Sequence, residues 1–165
     1  MQGAVKAGAN YVASLLAATE AKKKGYAQVL WLDAIERKWI EEVGTMNVFI
    51  RIGDEVITPP LSGTILPGVT RNSALTLLRQ WGLKNSERRI ELEEIFDASQ
   101  KGTLKEVFGT GTAAVISPVG ELCYRDKKIT INQSKIGEVA QKLYDSITAI
   151  QYGEAPDDHH WTVQI

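Results

Sequence analysis

Glu42-Val43-Gly44-Thr45-Met46-Asn47-Val48-Phe49-Ile50-Arg51-Ile52-Gly53-Asp54-Glu55-Val56-Ile57-Thr58 decides the fold. Residues 47–52 and 55–58 are two runs of apolar and β-branched character. The Gly53-Asp54 pair between them has the spacing of a tight β-hairpin. Pro59-Pro60 stops the second run, because proline cannot donate to a strand ladder. Just ahead stand Glu41 and Glu42. Neighbours in an extended strand point to opposite faces, so only one of the two acids can enter a pocket.

Outward from the hairpin the pattern alternates between helix and strand. Residues 10–24 read as a helix capped by Asn10, with Val12, Leu15, Leu16 and Thr19 on one face and Gly25 ending it. Residues 28–33 form an apolar run expected to be a strand covered on both faces, and residues 33–38 a turn. A long turn reaches Pro67-Gly68-Val69-Thr70. A helix then carries Ala74, Leu75, Leu77 and Leu78 inward and stops near Gly82. Residues 90–99 read as a short acidic helix. Val107-Phe108 and residues 113–116 read as strands on either side of a Gly109-Thr110-Gly111-Thr112 turn. Ser134 is expected to cap a last helix with Ile136, Val139, Ala140, Leu143 and Ile147 in one stripe, and Trp161 to anchor the tail. The predicted class is α+β, one domain over residues 1–165, a curved sheet with helices outside.

The composition sets limits on function. Of 165 residues, 44% are hydrophobic and 24% charged, which suits a globular domain. Nineteen basic residues against twenty acidic ones leave a net charge of -1, so no basic surface for nucleic acid is expected. Lys22-Lys23-Lys24 reads as a solvated helix end. Cys123 is the single cysteine, so no internal disulfide forms and a reducing, cytoplasmic setting is the default. No run approaches about 18 apolar residues, and no membrane contact is expected. His159-His160 lacks the spacing of a zinc site. Ser14, Ser62 and Ser117 lack a nucleophile elbow. Tyr26, Trp31, Trp39 and Trp81 read as core or interface aromatics.

Four pieces carry chemistry. Lys6 stands among Ala4, Val5, Ala7, Gly8 and Ala9. Read locally, it is either an amine with a depressed pKa beside a pocket or a surface lysine near the start of the sequence. Glu42 is either a pocket acid, which needs a cationic partner if buried, or a solvated one. Pro67-Gly68-Val69-Thr70 is either an anion site at a helix start or a simple cap. Gly109-Thr110-Gly111-Thr112 lets a ligand approach the backbone or merely turns the chain. A lysine, an acid and two anion nests are what a pyridoxal phosphate site needs.

Lys6-Ala7-Gly8-Ala9-Asn10-Tyr11, Glu42-Val43-Gly44-Thr45-Met46-Asn47-Val48-Phe49, Thr58-Pro59-Pro60-Leu61, Ile65-Leu66-Pro67-Gly68-Val69-Thr70-Arg71 and Phe108-Gly109-Thr110-Gly111-Thr112-Ala113-Ala114 occur in this order. Together they resemble the branched-chain amino acid aminotransferases, of the D-amino acid aminotransferase-like fold type IV. The resemblance implies that the catalytic Lys6 holds pyridoxal 5'-phosphate as a Schiff base and shuttles a proton. It implies that Tyr11 bonds the ring hydroxyl and Glu42 the pyridinium, with Gly68, Val69, Thr70 and Thr112 at the phosphate. It implies that Thr45, Met46, Thr112 and Ala113 meet the substrate, with Thr45 and Met46 opposite the acid. Substrates would be leucine, isoleucine or valine and their 2-oxo acids, with glutamate and 2-oxoglutarate as the other pair. A homodimer is implied. Relatives that carry a redox Cys-x-x-Cys pair differ here, where Ala114 and Ser117 stand instead. The family's smaller domain, which precedes the lysine, is expected to lie outside this chain, as a separate piece or lost by truncation, cleavage or a mistaken start. Low activity of the chain alone is therefore expected. D-Amino acid aminotransferase, aminodeoxychorismate lyase and a non-catalytic interaction fragment remain the alternatives.

Overall fold

The computed structural model describes residues 8–163. In chain order it contains α1 (Gly8–Lys23), β1 (Leu30–Leu32), β2 (Ile40–Val43), β3 (Met46–Ile52), β4 (Glu55–Thr58), α2 (Val69–Gln80) and β5 (Asn85–Glu87). It continues with α3 (Leu92–Gln100), β6 (Leu104–Gly111), β7 (Val115–Pro118), β8 (Glu121–Tyr124), β9 (Lys127–Thr130) and α4 (Glu138–Gln151). The hairpin read from the sequence is β3–β4, with Ile52 opposite Glu55. Gly53 has φ +56°, the glycine-first pattern of a type II′ turn.

β3 is the hub of a seven-stranded sheet. Along one side its first residues pair with β2 and its last with β4, and along the other side it pairs with β6. The sheet thus divides along β3. Only β4–β5 is parallel. Alternation sorts β3 onto two cores. Val48 and Ile50 pack with Ile90, Leu92 and Ile95 around α3. Phe49 packs with Phe108, with Leu75 and Leu78 of α2, and with Val139 and Leu143 of α4. Phe49 and Phe108 are register partners, stacked with ring centroids 5.4 Å apart. Such a pair contributes about 0.5–1.5 kcal/mol beyond its buried area.

Several expectations are met by local chemistry. Gly25 has φ +85°, and its N–H donates to Lys22 while that of Tyr26 donates to Ala21, a Schellman close of α1. Gly82 ends α2 in the same manner. The turn after β1 is held by Asp33. Its buried carboxylate accepts the N–H groups of Ile35, Glu36, Lys38 and Trp39. Desolvation opposes its ionisation, but these hydrogen bonds outweigh it and hold the pKa well below the usual carboxylate range. Asp157 organises the tail likewise, accepting from the Trp161 and Thr162 backbone.

Other expectations are corrected. The described part of α1 already includes Gly8, so Asn10 lies inside the helix and not at its start. Val12, Leu15 and Leu16 are 65%, 60% and 75% exposed, and Thr19 is exposed too, because no described element packs on that face. The strand after α1 is shorter than residues 28–33. As an edge strand it is half-buried and not covered on both faces. Residues 90–91 precede α3, where Glu91 bridges to Trp39 and Ile90 fills the core. Ser134 caps nothing on α4, and Ile136 is exposed; it is Glu106 that accepts the Val139 and Ala140 N–H groups. β5, β8 and β9 escaped the sequence reading.

Gly109-Thr110-Gly111 is strand, not turn; the turn is residues 112–114. The glycines serve close packing. A Cβ on Gly109 would fall 2.8 Å from Met46 Cε and 2.9 Å from Val43 Cγ1. Gly109→Ala is therefore expected to cost about 1–3 kcal/mol through overpacking, read as a lower urea midpoint at unchanged m-value. Among the described residues no helix is long and apolar enough to cross a membrane.

Candidate functional site

Antiparallel pairing brings the end of β2, the start of β3 and the end of β6 to one edge of the sheet. Glu42 stands opposite Asn47, and Asn47 opposite Thr110. Directly opposed residues share a face, so these three polar side chains form one row. The row continues to Trp31, the partner of Glu42 on β1, whose indole N–H donates to the Gly44 carbonyl at 2.8 Å. The start of α2 closes over it. Asn47 donates its amide to the Leu66 carbonyl at 2.8 Å and, at 3.4 Å, to Glu42 Oε1. The Leu66 N–H donates to the same Oε1 at 3.3 Å. Gly68 has to be glycine here, since a Cβ would run into the Asn47 amide oxygen.

The electrostatics of the row are unusual. Burial pushes the Glu42 carboxyl up to about 7; the Leu66 N–H works against this and the Glu41 charge adds to it. Glu41 itself accepts from the Thr64 hydroxyl at 2.6 Å. Among the described residues no cation pairs with Glu42, and both of its hydrogen bonds fall on Oε1. Among the described residues Thr110 Oγ1 is buried without a hydrogen-bond partner. α2 starts from Gly68 with no side-chain cap, so its first-turn N–H groups carry the partial positive charge of a helix start. A half-buried acid wanting a cation, an orphan hydroxyl and an open helix N-terminus fit a ligand with a protonated ring nitrogen and a phosphate. The residues present therefore suit pyridoxal phosphate.

The expected site residues distribute as follows. Lys6 lies outside the described residues. Tyr11 is within α1, but its side chain also lies outside what is described. Gly68 is the position before α2, while Val69 and Thr70 form its first turn and do not precede it; Val69 is exposed. Thr112 and Ala113 are in the exposed turn joining β6 to β7, and Thr45 is at the exposed tip joining β2 to β3. Because β3 and β6 run antiparallel, both turns sit at the edge that holds Glu42. Met46 lies off the polar row. It pairs with Val43, one residue out of step with Glu42, and covers Gly109 and Gly111 on the opposite face. It packs the sheet and does not face the acid. Asn47 and Thr110 were missed as site residues. The two-residue turn Gly44-Thr45 already implied that Glu42 and Asn47 face each other.

Residues 4–122 match the family described as amino-transferase class IV. The chain is 53% identical over 163 residues to branched-chain-amino-acid aminotransferase 2 of Bacillus subtilis, covering 99% of this chain and 45% of that protein. It thus spans about half the length of the curated relatives it matches. Among solved structures it resembles the branched-chain amino acid aminotransferase of Escherichia coli, with TM-score 0.84 and 30% identity, covering 98% of this chain and 50% of that one. It also resembles the T.th. branched-chain amino acid aminotransferase complexed with N-(5'-phosphopyridoxyl)-L-glutamate, with TM-score 0.82 and 29% identity over 98% of this chain and 50% of that one.

Proposed function

The chain belongs to the amino-transferase class IV family, and on that premise we propose that it is the cofactor-binding part of a pyridoxal-phosphate-dependent branched-chain amino acid aminotransferase. The observation that carries the reading is Glu42, a half-buried acid with no cation paired to it among the described residues, tied through Leu66 to the open start of α2. The substrates follow the named relatives: leucine, isoleucine or valine as donor and 2-oxoglutarate as acceptor.

When bound, the cofactor supplies a ring that takes up electrons from the substrate α-carbon while its nitrogen is protonated. Glu42 holds the proton on that nitrogen. Asn47 and the Leu66 N–H orient the carboxylate by bonding Oε1, which leaves Oε2 for the ring. The Val69 and Thr70 amides and the Thr70 hydroxyl bind the phosphate at the helix start, and Thr112 reaches it from the β6–β7 turn. The buried Thr110 hydroxyl gains a partner there. Lys6 is the amine that anchors the cofactor and moves the α-proton, and Tyr11 bonds the ring hydroxyl. The Ala113 N–H receives the substrate carboxylate, with Thr45 across from it. The exposed apolar face of α1 supports burial of that helix in an assembly, which we take to be a homodimer including the rest of the relatives' length. The lone, exposed Cys123 thiol supports a cytoplasmic setting.

The test follows the cofactor's visible band after pyridoxal phosphate is added to the protein, with Lys6→Ala as control. The band is expected to form only with Lys6 present and to shift on addition of L-leucine, then return with 2-oxoglutarate. A response to D-alanine and not L-leucine, or pyruvate release from aminodeoxychorismate, would move the chain to a sister activity. No Lys6-dependent band would end the enzymatic reading. Gly68→Ala, which displaces the Asn47 amide, is expected to weaken cofactor binding about tenfold, or about 1.4 kcal/mol, in the same titration.

A further inference from the structure

A second groove, of about 380 Å³, lies at the other end of β2 from Glu42, between the β1–β2 turn, α3 and the β8–β9 turn. That volume is in the range of small-molecule sites. Its apolar lining includes Leu92, Phe96 and Tyr124. Its rim is cationic. Lys38 is already paired, with Glu36 at 3.2 Å and Glu91 at 3.4 Å. Among the described residues Arg37, Arg125 and Lys127 form no ion pair, and the Arg125 guanidinium lies over the Tyr124 ring at 5.1 Å.

The backbone under the two arginines is the second observation. Arg37 has φ +56° and Arg125 φ +47°. Both sit in the left-handed region, where a Cβ is strained and glycine or asparagine is the ordinary choice. Arg125-Asp126 occupies the two-residue turn between Tyr124 and Lys127, a position that favours Asn-Gly. The Arg37 N–H donates to the Asp33 carbonyl and Arg125 lies over Tyr124, so the backbone of each is supported locally while both guanidinium groups, without an ion pair among the described residues, line one groove. On the α3 side the groove carries Glu93 and Asp97. These acids repel a second phosphate but accept hydrogen bonds from hydroxyl or amino groups.

We propose that this groove binds a nucleoside monophosphate. The phosphate meets Arg37, Arg125 and Lys127, the base lies on Phe96 and Tyr124, and sugar hydroxyls or an exocyclic amine meet Glu93 and Asp97. The guanidinium groups suit a phosphate through paired N–H donors. The assignment does not depend on the transaminase reading, since none of these residues belongs to that site.

The test is calorimetric titration of the protein, saturated with pyridoxal phosphate, with AMP, adenosine and inorganic phosphate. AMP is expected to bind about tenfold or more tighter than either fragment, and less tightly as salt rises. The double variant Arg37→Gly, Arg125→Gly relieves both left-handed strains. It is expected to lose about tenfold or more in AMP affinity without a lower thermal midpoint. Three results overturn the proposal. Inorganic phosphate binding as tightly as AMP leaves an ion site only. AMP binding that survives in the double variant lies elsewhere. A lower midpoint in the double variant makes the arginines structural.

Discussion

Glu106→Ala is expected to remove about 3–5 kcal/mol of stability, the range for stripping one partner from a buried charged pair. Glu106 stands in β6 opposite Arg51 of β3, with a side chain only 4% exposed. Its Oε1 accepts from Arg51 Nη1 at 2.9 Å and from the Val139 N–H at 3.1 Å, and its Oε2 from the Ala140 N–H at 2.9 Å. α4 has Gly137 at its cap position and no side-chain cap of its own. One carboxylate therefore neutralises a half-buried guanidinium and satisfies two first-turn amides, where the helix dipole favours negative charge. Gly137 leaves the room, since a Cβ there would occupy the space of the carboxyl. Alanine leaves the Val139 and Ala140 N–H groups unpaired and leaves Arg51 only its longer ion pair with Glu138, at 3.8 Å. Glutamine keeps the shape, but its amide nitrogen cannot accept, so a smaller loss of about 1–3 kcal/mol is expected. Urea denaturation reads both, and a loss under about 1 kcal/mol for alanine would mean that water replaces the carboxylate fully.

That cap illustrates what the sequence could and could not say. The β3–β4 hairpin was legible because period-two burial and a glycine-first turn are local signals. The stripes of α2 and α4 were legible for the same reason. The cap of α4 was not, because its acid lies 33 residues upstream of Val139. Ser134, close in sequence, was the natural but wrong choice. β5 was hidden because Asn-Ser-Glu has no strand preference, and pairing with Val56, Ile57 and Thr58 makes it one. Gly109 and Gly111 signalled a turn, whereas the sheet needed them to pass under Met46. At the candidate site, Glu42 was singled out through the resemblance, and the structure places it in the polar row beside Asn47. Asn47 was within reach through the two-residue Gly44-Thr45 turn, but Thr110 needed the β3–β6 register, which depends on which distant strands pair. The exposed apolar face of α1 shows the same limit from the other side: periodicity tells which residues share a face, not what covers them.

On the proposed function, Glu42→Gln is expected to lower turnover on L-leucine about 100-fold or more, equivalent to about 2.7 kcal/mol in the barrier. Glutamine preserves volume and can still accept from Asn47 and the Leu66 N–H. It removes only the negative charge to which the proposed function assigns the protonation of the ring nitrogen. The same substitution has the opposite effect on the cofactor-free protein, and the sign follows from the pKa. Glu42 is raised from an ordinary 4.5 to about 7, chiefly by burial. Below the ordinary value it is protonated in both folded and unfolded chains and costs nothing. As pH rises toward about 7 the unfolded chain ionises first, so folded stability falls. Above about 7 the penalty is constant. Glutamine has no such penalty. Thermal unfolding without cofactor should therefore show the variant gaining on the parent between pH 5 and pH 8, while saturation with pyridoxal phosphate should restore the advantage of the acid, because the ring cation favours the carboxylate it pairs with. A variant that is slower yet gains nothing with pH would leave the acid's role intact but remove its burial. One that gains with pH yet turns over normally would remove the acid from the chemistry. The two readouts thus separate desolvation from catalysis, which no single assay of the wild-type protein can do.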